Sequence, residues 1–146
     1  MKASYDALIV GAGIVGAAVA YRLAERGLSV AVLEAEAVPA AQATAKSAAG
    51  VRVQFSEPVN VRLSWSSIQE YRDFEELFGV SSGYRPIGYL FLVPRELERA
   101  YEDALALQRS LGVPVERLEL AEARAKVDFD PAGLAFATWG PADGVI

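Results

Sequence analysis

Tyr5 to Glu34 reads YDALIVGAGIVGAAVAYRLAERGLSVAVLE, and the punctuation of this stretch decides the fold. Ala7 to Val10 is a short apolar run of strand type. Ile14 to Arg26 carries helix formers over a helical length, and Ser29 to Leu33 is strand-like again, bounded by Gly27. Gly11, Gly13 and Gly16 fall in the turn between the first strand and the helix. The order strand, glycine turn, helix, strand predicts a βαβ unit.

Each glycine has its own task in a unit that grips a dinucleotide. Gly11 permits the tight turn out of the strand, Gly13 lets the backbone approach a diphosphate, and Gly16 lets the helix lie close on the strand, with Ala20 extending that small surface. The helix head at Ile14 and Val15 then presents unpaired amides and the positive end of the dipole to the diphosphate. Glu34, followed by Ala35, stands at the carboxyl end of the second strand, where a carboxylate accepts hydrogen bonds from ribose hydroxyls and repels a 2′-phosphate. A dinucleotide other than NADP is therefore expected.

Composition narrows the classes. At 146 residues and 53% hydrophobic the chain is long and apolar enough for a packed core. A formal charge of -5 argues against a nucleic-acid partner, because no basic cluster could neutralise several phosphates. The chain has no cysteine and no histidine, which removes thiolate and imidazole from any catalytic or metal site in it, and no metal is expected. Lys2 ahead of the uncharged run from Ala7 to Tyr21 could pass for a leader peptide. Asp6 interrupts the head of that run, the glycines sit at nucleotide-binding spacing, and the run is too short for a membrane span, so a soluble cytoplasmic chain is expected.

Beyond Glu34 the chain loosens into small residues broken by Pro39. A short helix over Gln42 to Ala49 is predicted, ended by a left-handed Gly50, with Val51 to Phe55 extended. On composition, Thr44, Lys46 and Ser47 read as the solvated face of that helix. Ser56 is the expected cap of a helix running to about Phe78, with Val61, Trp65, Ile68, Tyr71, Phe74 and Phe78 as its apolar stripe and Gly79 as its stop. Tyr84 to Val93 reads as a hairpin or bent strand. Pro94 is expected to open a helix to Leu111 with Leu97, Tyr101, Ala104, Leu107 and Leu111 on one face. Short strands are predicted at Val113 to Leu118 and Leu134 to Trp139, with a helical turn or two at Ala121 to Lys126 between them. The later strands look antiparallel, whereas a doubly wound sheet needs a third parallel strand. The expected class is therefore α/β: an incomplete Rossmann-type βαβ unit for FAD or NAD(P) with a partial α+β substrate sub-domain, bounded at 1–80 and 81–146.

These residues resemble the family of FAD-dependent amine and amino-acid oxidases that includes D-amino-acid oxidase, sarcosine oxidase, glycine oxidase and dye-linked proline dehydrogenase. The glycine fingerprint with Ala20 and Glu34 carries the likeness, joined by Thr44-Ala45-Lys46-Ser47-Ala48-Ala49-Gly50-Val51-Arg52, by Gly83 to Leu90 and by Pro141-Ala142-Asp143-Gly144-Val145-Ile146. The second and third segments look most like the sarcosine oxidase β-subunit and proline dehydrogenase branch.

The resemblance implies FAD as cofactor, held by Gly11, Gly13, Ile14, Val15, Gly16, Glu34 and Ala35. It also implies that the segment with Thr44, Lys46, Ser47, Gly50 and Val51 runs along the flavin end, which reverses the compositional reading of Thr44, Lys46 and Ser47. Arg52 matches a basic position near the flavin ring in several members and is a catalytic candidate, the alternative being a surface salt bridge. The implied activity is oxidation of the C–N bond of a small amine or amino acid of sarcosine, glycine or proline type. Members of the family continue for a few hundred residues beyond the segment matching Asp143. The expectation is thus an N-terminal piece, inactive alone, that self-associates or joins a complementary C-terminal chain. The alternative is a non-catalytic nucleotide-binding or assembly module.

Overall fold

The structure is a computed structural model that describes residues 4–146, so Lys2 lies outside the described residues. The chain divides into two compact units, Met1–Ala48 and Ala49–Ile146. The long helix that the sequence reading placed before a boundary at residue 80 thus belongs to the second unit.

The first unit is the βαβ motif. Strand β1 (Ala7–Val10) pairs in parallel with β2 (Val30–Leu33), in the register Ala7 with Val30 through Val10 with Leu33, and α1 (Ile14–Glu25) crosses between them. Asp6 ties the two strand starts, accepting from the Ser29 amide at 2.8 Å and from the Ser29 hydroxyl at 2.6 Å. The turn out of β1 is closed by the Gly11 amide donating to the Leu33 carbonyl at 2.7 Å. Among the described residues β1 and α1 add nothing to a buried core: Val10 is 86% and Val15 74% exposed.

No helix forms over 42–49, contrary to the sequence expectation; the segment from Pro39 to Lys46 is a run of turns. Ala40 and Ala49 take positive φ, 62° and 52°, and break the helical path, while the left-handed residue is Ala49 and not Gly50. Gly50 instead enters β3 (Gly50–Val51), which pairs antiparallel with β7 (Gly144–Val145) in the second unit.

The second unit is built on an antiparallel sheet of β4 (Tyr89–Pro94), β6 (Leu134–Gly140) and β5 (Glu116–Leu118), with β6 central. The strands expected within 113–118 and 134–139 are present, and the pairing of β6 with β4 and β5 is antiparallel as expected. One face buries Val93 and Phe136 with Val53, Val61, Ile68, Leu105, Val113 and Val115, the helical members coming from α2 (Pro58–Arg72) and α4 (Glu98–Ser110). The other face carries Leu118 and Ala137 with Ala123 of α5 (Leu120–Arg124).

Three helix details depart from the sequence reading. Glu57, not Ser56, is the N-cap of α2, extended at φ -99° and ψ 127°, because Pro58 fixes the first helical position and restricts the residue before it. The predicted helix to Phe78 is broken at Asp73 into α2 and α3 (Phe74–Phe78): the Asp73 carboxylate is held by Arg72 Nε at 2.8 Å, and the Ser82 hydroxyl takes the Tyr71 carbonyl at 2.7 Å. The stop at Gly79 is as predicted, at φ 72°. Pro94 belongs to β4, paired with Leu134, so α4 begins only after a single turn of 3-10 helix at Arg95–Leu97. The buried face of α4 is centred on Leu105 and Gln108, with Tyr101, Leu107 and Leu111 packed beside it and Leu97 exposed.

Candidate dinucleotide site

The glycine turn and the head of α1 form one wall of an open cleft of about 510 Å³ in the first unit. Gly11, Gly13, Ile14, Val15 and Gly16 line it, and Thr44 and Ser47 from the loop after β2 face them. Seven of the sequence candidates thus share one cleft. The turn works by close approach. Gly11 holds φ +99°, and a Cβ on Gly16 would run into the Gly11 carbonyl oxygen, with the Gly11 carbonyl carbon 3.1 Å away. Only hydrogen at Gly16 lets α1 sit this near the turn.

A Cβ on Gly13 would stand 2.9 Å from the Thr44 hydroxyl, and that hydroxyl accepts the Ile14 amide at 3.1 Å. The helix-head donor is thus bonded to a hydroxyl of another residue that lines the cleft. Thr44 does what no N-cap side chain does here, since Gly13 occupies the cap position with extended backbone.

Glu34 leans back into the turn. Its carboxylate accepts the Ala12 amide at 2.6 Å and the Glu36 amide at 2.9 Å. These amides, Glu36 first, hold its pKa below the usual carboxylate range, so it is ionised at neutral pH. Ala35 follows it in an exposed loop, and Lys46 donates to Gln42 Oε1 at 2.7 Å without lining the cleft. Glycines that admit the backbone, amides at a helix head, and a fixed carboxylate at the end of β2 form a donor and acceptor set suited to a dinucleotide.

The remaining candidates, Gly50, Val51 and Arg52, lie in the second unit. Gly50 packs against the Tyr89 hydroxyl, 2.6 Å from where its Cβ would be. The Arg52 guanidinium lies over the rings of Phe55 and Phe91, at 5.1 and 5.6 Å from their centres, and its charge also acts on Asp143. Beside it is a network that the sequence reading passed over. Asp143, fully buried, accepts the Val53 amide at 2.7 Å and Gln54 Nε2 at 2.8 Å, and Thr138 donates to Gln54 Oε1 at 2.6 Å. Burial pushes the Asp143 pKa up against the pull of these donors. An acid between Gly140 and Gly144 was the available signal. For Gln108, the signal was its spacing of three and four from Leu105 and Ala104 on an otherwise apolar face.

The chain is similar to proteins that fit this site. It is 32% identical to FAD-dependent oxidoreductase domain-containing protein 1 of Xenopus laevis over 92% of its own length, and spans 30% of the length of that relative. Its fold superposes on L-proline dehydrogenase from P. horikoshii with a TM-score of 0.85 at 30% identity, covering 99% of this chain and 38% of the other. On glycine oxidase from Bacillus cereus the TM-score is 0.69 at 26% identity, covering 97% and 40%. The first unit is thus the start of a Rossmann-type FAD-binding fold. The family model for FAD dependent oxidoreductases matches residues 6–146, from the base of β1 through β7, and to that family, with FAD as its cofactor, this chain belongs.

Proposed function

We propose that the chain serves in oxidation of the C–N bond of a small amine or amino acid of proline, glycine or sarcosine type. The observation that carries this reading is the glycine turn at the head of α1 with the ionised Glu34 beside it, because it supplies a dinucleotide grip on a chain whose likeness to L-proline dehydrogenase and glycine oxidase extends over both units. Gly11, Gly13, Ile14, Val15 and Gly16 bind the diphosphate through backbone and helix dipole, and Glu34 with Ala35 takes the adenosine ribose. Thr44, Lys46, Ser47, Gly50, Val51 and Arg52 are assigned to the flavin end on resemblance. The chemistry FAD supplies is acceptance of a hydride from the carbon next to the amine nitrogen, giving an imine that water hydrolyses.

A second reading, a nucleotide-binding or assembly module that acts only with a complementary chain, is favoured by the apolar exposure of the first unit, where Leu8, Val10, Ile14, Val15 and Leu33 are all open to solvent. Two measurements separate them. Thermal shift with FAD, NAD and NADP is expected to show stabilisation by FAD; stabilisation by NAD alone refutes the cofactor assignment. Turnover of sarcosine, L-proline and glycine with FAD and an artificial acceptor is then compared for the chain alone and with the C-terminal portion of a relative added. Activity only in the mixture supports oxidation by an assembled enzyme; FAD binding with no turnover in either leaves the module reading.

A further inference from the structure

Asp143 is fully buried in the turn between β6 and β7, and three segments of the chain fix it there. Its amide donates to the Gly140 carbonyl at 3.1 Å, and its carbonyl accepts the Gly88 amide at 2.8 Å. Its carboxyl only accepts: Oδ1 takes the Val53 amide at 2.7 Å, and Oδ2 takes Gln54 Nε2 at 2.8 Å. The Gln54 amide is set by its own neighbours, since Nε2 also donates to the Tyr89 carbonyl at 3.1 Å and Oε1 accepts the Thr138 hydroxyl at 2.6 Å. The chain from Thr138 through Gln54 to Asp143 therefore has one direction, with every hydrogen pointing toward the carboxylate. Thr138 lines a cleft of about 310 Å³ while its own hydrogen is committed inward, to Gln54.

That direction holds only while Asp143 is ionised. A protonated carboxyl has one hydrogen to donate, and the Val53 amide, itself a donor, cannot receive it, so the proton belongs on Oδ2, facing Gln54. There it meets Nε2, another donor, and a buried O–H set against an N–H leaves both groups unpaired. Turning the Gln54 amide over removes the conflict. Oε1 then accepts from Asp143, and Nε2 donates to the Thr138 oxygen, whose hydrogen leaves the network. The turn exchanges an oxygen for an NH2 of nearly the same size, which suits a site packed too closely for larger motion: a Cβ on Gly140 would overlap Asp143 Oδ2 and stand 2.7 Å from Gln54 Nε2. The Tyr89 carbonyl loses its Gln54 donor in the turned state, so an ionised Asp143 keeps the amide in the observed sense.

Burial raises the Asp143 pKa, against the pull of Gln54, the Val53 amide and the Arg52 charge, and so brings the proton within reach. Tyr84, whose hydroxyl donates to the Ala142 carbonyl, also feels this carboxylate. Burial first and the Asp143 charge second raise the Tyr84 pKa, so Tyr84 stays neutral while the carboxyl titrates.

We propose that Asp143, Gln54 and Thr138 form a two-state relay: uptake of a solvent proton by the buried carboxyl turns the Gln54 amide over, and the Thr138 hydroxyl changes from a donor into the network to a donor toward the cleft. The change at the cleft wall is one of polarity, not of shape. All three residues lie in the second unit, so the relay stands apart from the dinucleotide site and is tested without FAD.

The test is an NMR titration of the ¹³C,¹⁵N-labelled chain between about pH 8 and about pH 4, a span lying above the ordinary aspartate value of about 3.9. It follows the Asp143 carboxyl carbon, the Gln54 side-chain NH2 and Thr138 Cβ, with the backbone amides of β4 and β6 as the check on folding. The three side-chain signals are expected to shift with one midpoint while the β4 and β6 amides keep their dispersion. The Gln54 side-chain nitrogen is expected to show a coupling across its hydrogen bond to the Asp143 carboxyl carbon at high pH and to lose it at low pH. Asp143→Asn copies the protonated state, because the introduced amide oxygen still accepts the Val53 amide and leaves its NH2 facing Gln54. It is expected to hold the Gln54 and Thr138 signals near their low-pH positions at every pH. Gln54 signals that stay still while Asp143 titrates, a carboxyl that does not titrate before the β6 signals collapse, or Asp143→Asn with Gln54 in its high-pH position overturns the proposal. The titration of the unaltered chain decides the matter even if Asp143→Asn fails to fold.

Discussion

Gly16→Ala tests the dinucleotide turn at its tightest contact. The added methyl would overlap the Gly11 carbonyl oxygen and press on the Gly11 carbonyl carbon 3.1 Å away, with Ile9 Cγ2 at 3.5 Å behind it. The first two are backbone atoms and cannot rotate aside, so α1 and the turn must separate. Overpacking of this kind costs about 1–3 kcal/mol, and a backbone contact belongs at the upper end. Alanine in place of glycine within a helix returns about 1 kcal/mol, leaving a net loss of about 2 kcal/mol, or roughly a 30-fold fall in the folded population of this unit. Both tryptophans, Trp65 and Trp139, lie in the second unit, so the readout is hydrogen exchange at the β1 amides Ala7–Val10. FAD affinity, followed by flavin fluorescence, is expected to fall by about 10- to 100-fold, since the amides and Glu34 lose their common geometry. Gly27→Ala is the control. Gly27 has φ +81° and nothing within 4 Å of its Cβ, so it should cost about 1–2 kcal/mol through backbone strain and leave FAD affinity unchanged. Wild-type exchange and FAD affinity in Gly16→Ala would refute the close-approach argument.

Two further changes probe the acids. Glu34→Ala is expected to weaken FAD by about 1–3 kcal/mol in calorimetric titration, because exposed ribose contacts are shared with water; unchanged affinity would separate Glu34 from the cofactor. Asp143→Ala removes the acceptor of two donors, the Val53 amide and Gln54 Nε2, and is expected to cost about 2–4 kcal/mol in urea unfolding of the second unit followed by tryptophan fluorescence. The sign of its pH dependence is set by burial: folded Asp143 holds its proton more tightly than the unfolded chain, so the folded state binds more protons above the unfolded value of about 3.9, and this group's contribution to stability falls as pH rises through the folded value. Asp143→Asn, which cannot ionise, should lose that fall, and a variant with the same pH slope as wild type would remove the buried carboxylate from the account.

The sequence was most legible where local pattern and tertiary use coincide. The glycine spacing and the acid at Glu34 mark the βαβ turn directly, and the later strands were expected to be antiparallel, as they are. The reading failed where a distant partner overrides local preference. Thr44 has the surroundings of a helix, yet its hydroxyl bonds the Ile14 amide 30 residues back in the chain, and the loop follows that bond into turns with Ala40 at φ 62°. Propensity is silent on such a contact. Asp73 ends α2 where the apolar stripe runs on unbroken, because Ser82 takes a helix carbonyl from outside the repeat. Asp143 lies 90 residues from the Val53 amide that it accepts, a separation at which no periodicity speaks.

The same contrast separates the two units in kind. The second unit buries a core of its own around Val53, Val61, Val93 and Phe136, and its polar interior is closed by Asp143, Gln54 and Thr138. The first has the geometry of a nucleotide grip without comparable burial, since Val10, Val15 and Leu33 face solvent. The glycine turn is held against α1 by three hydrogen bonds between residues well separated in the chain: the Gly11 amide to the Leu33 carbonyl, the Ala12 amide to the Glu34 carboxylate, and the Ile14 amide to the Thr44 hydroxyl. Each net hydrogen bond is worth about 1 kcal/mol. A diphosphate seated on the helix head would add to the same three links, and so binding and ordering of this unit are coupled: FAD should protect the β1 amides from exchange far more than it protects those of β4 or β6.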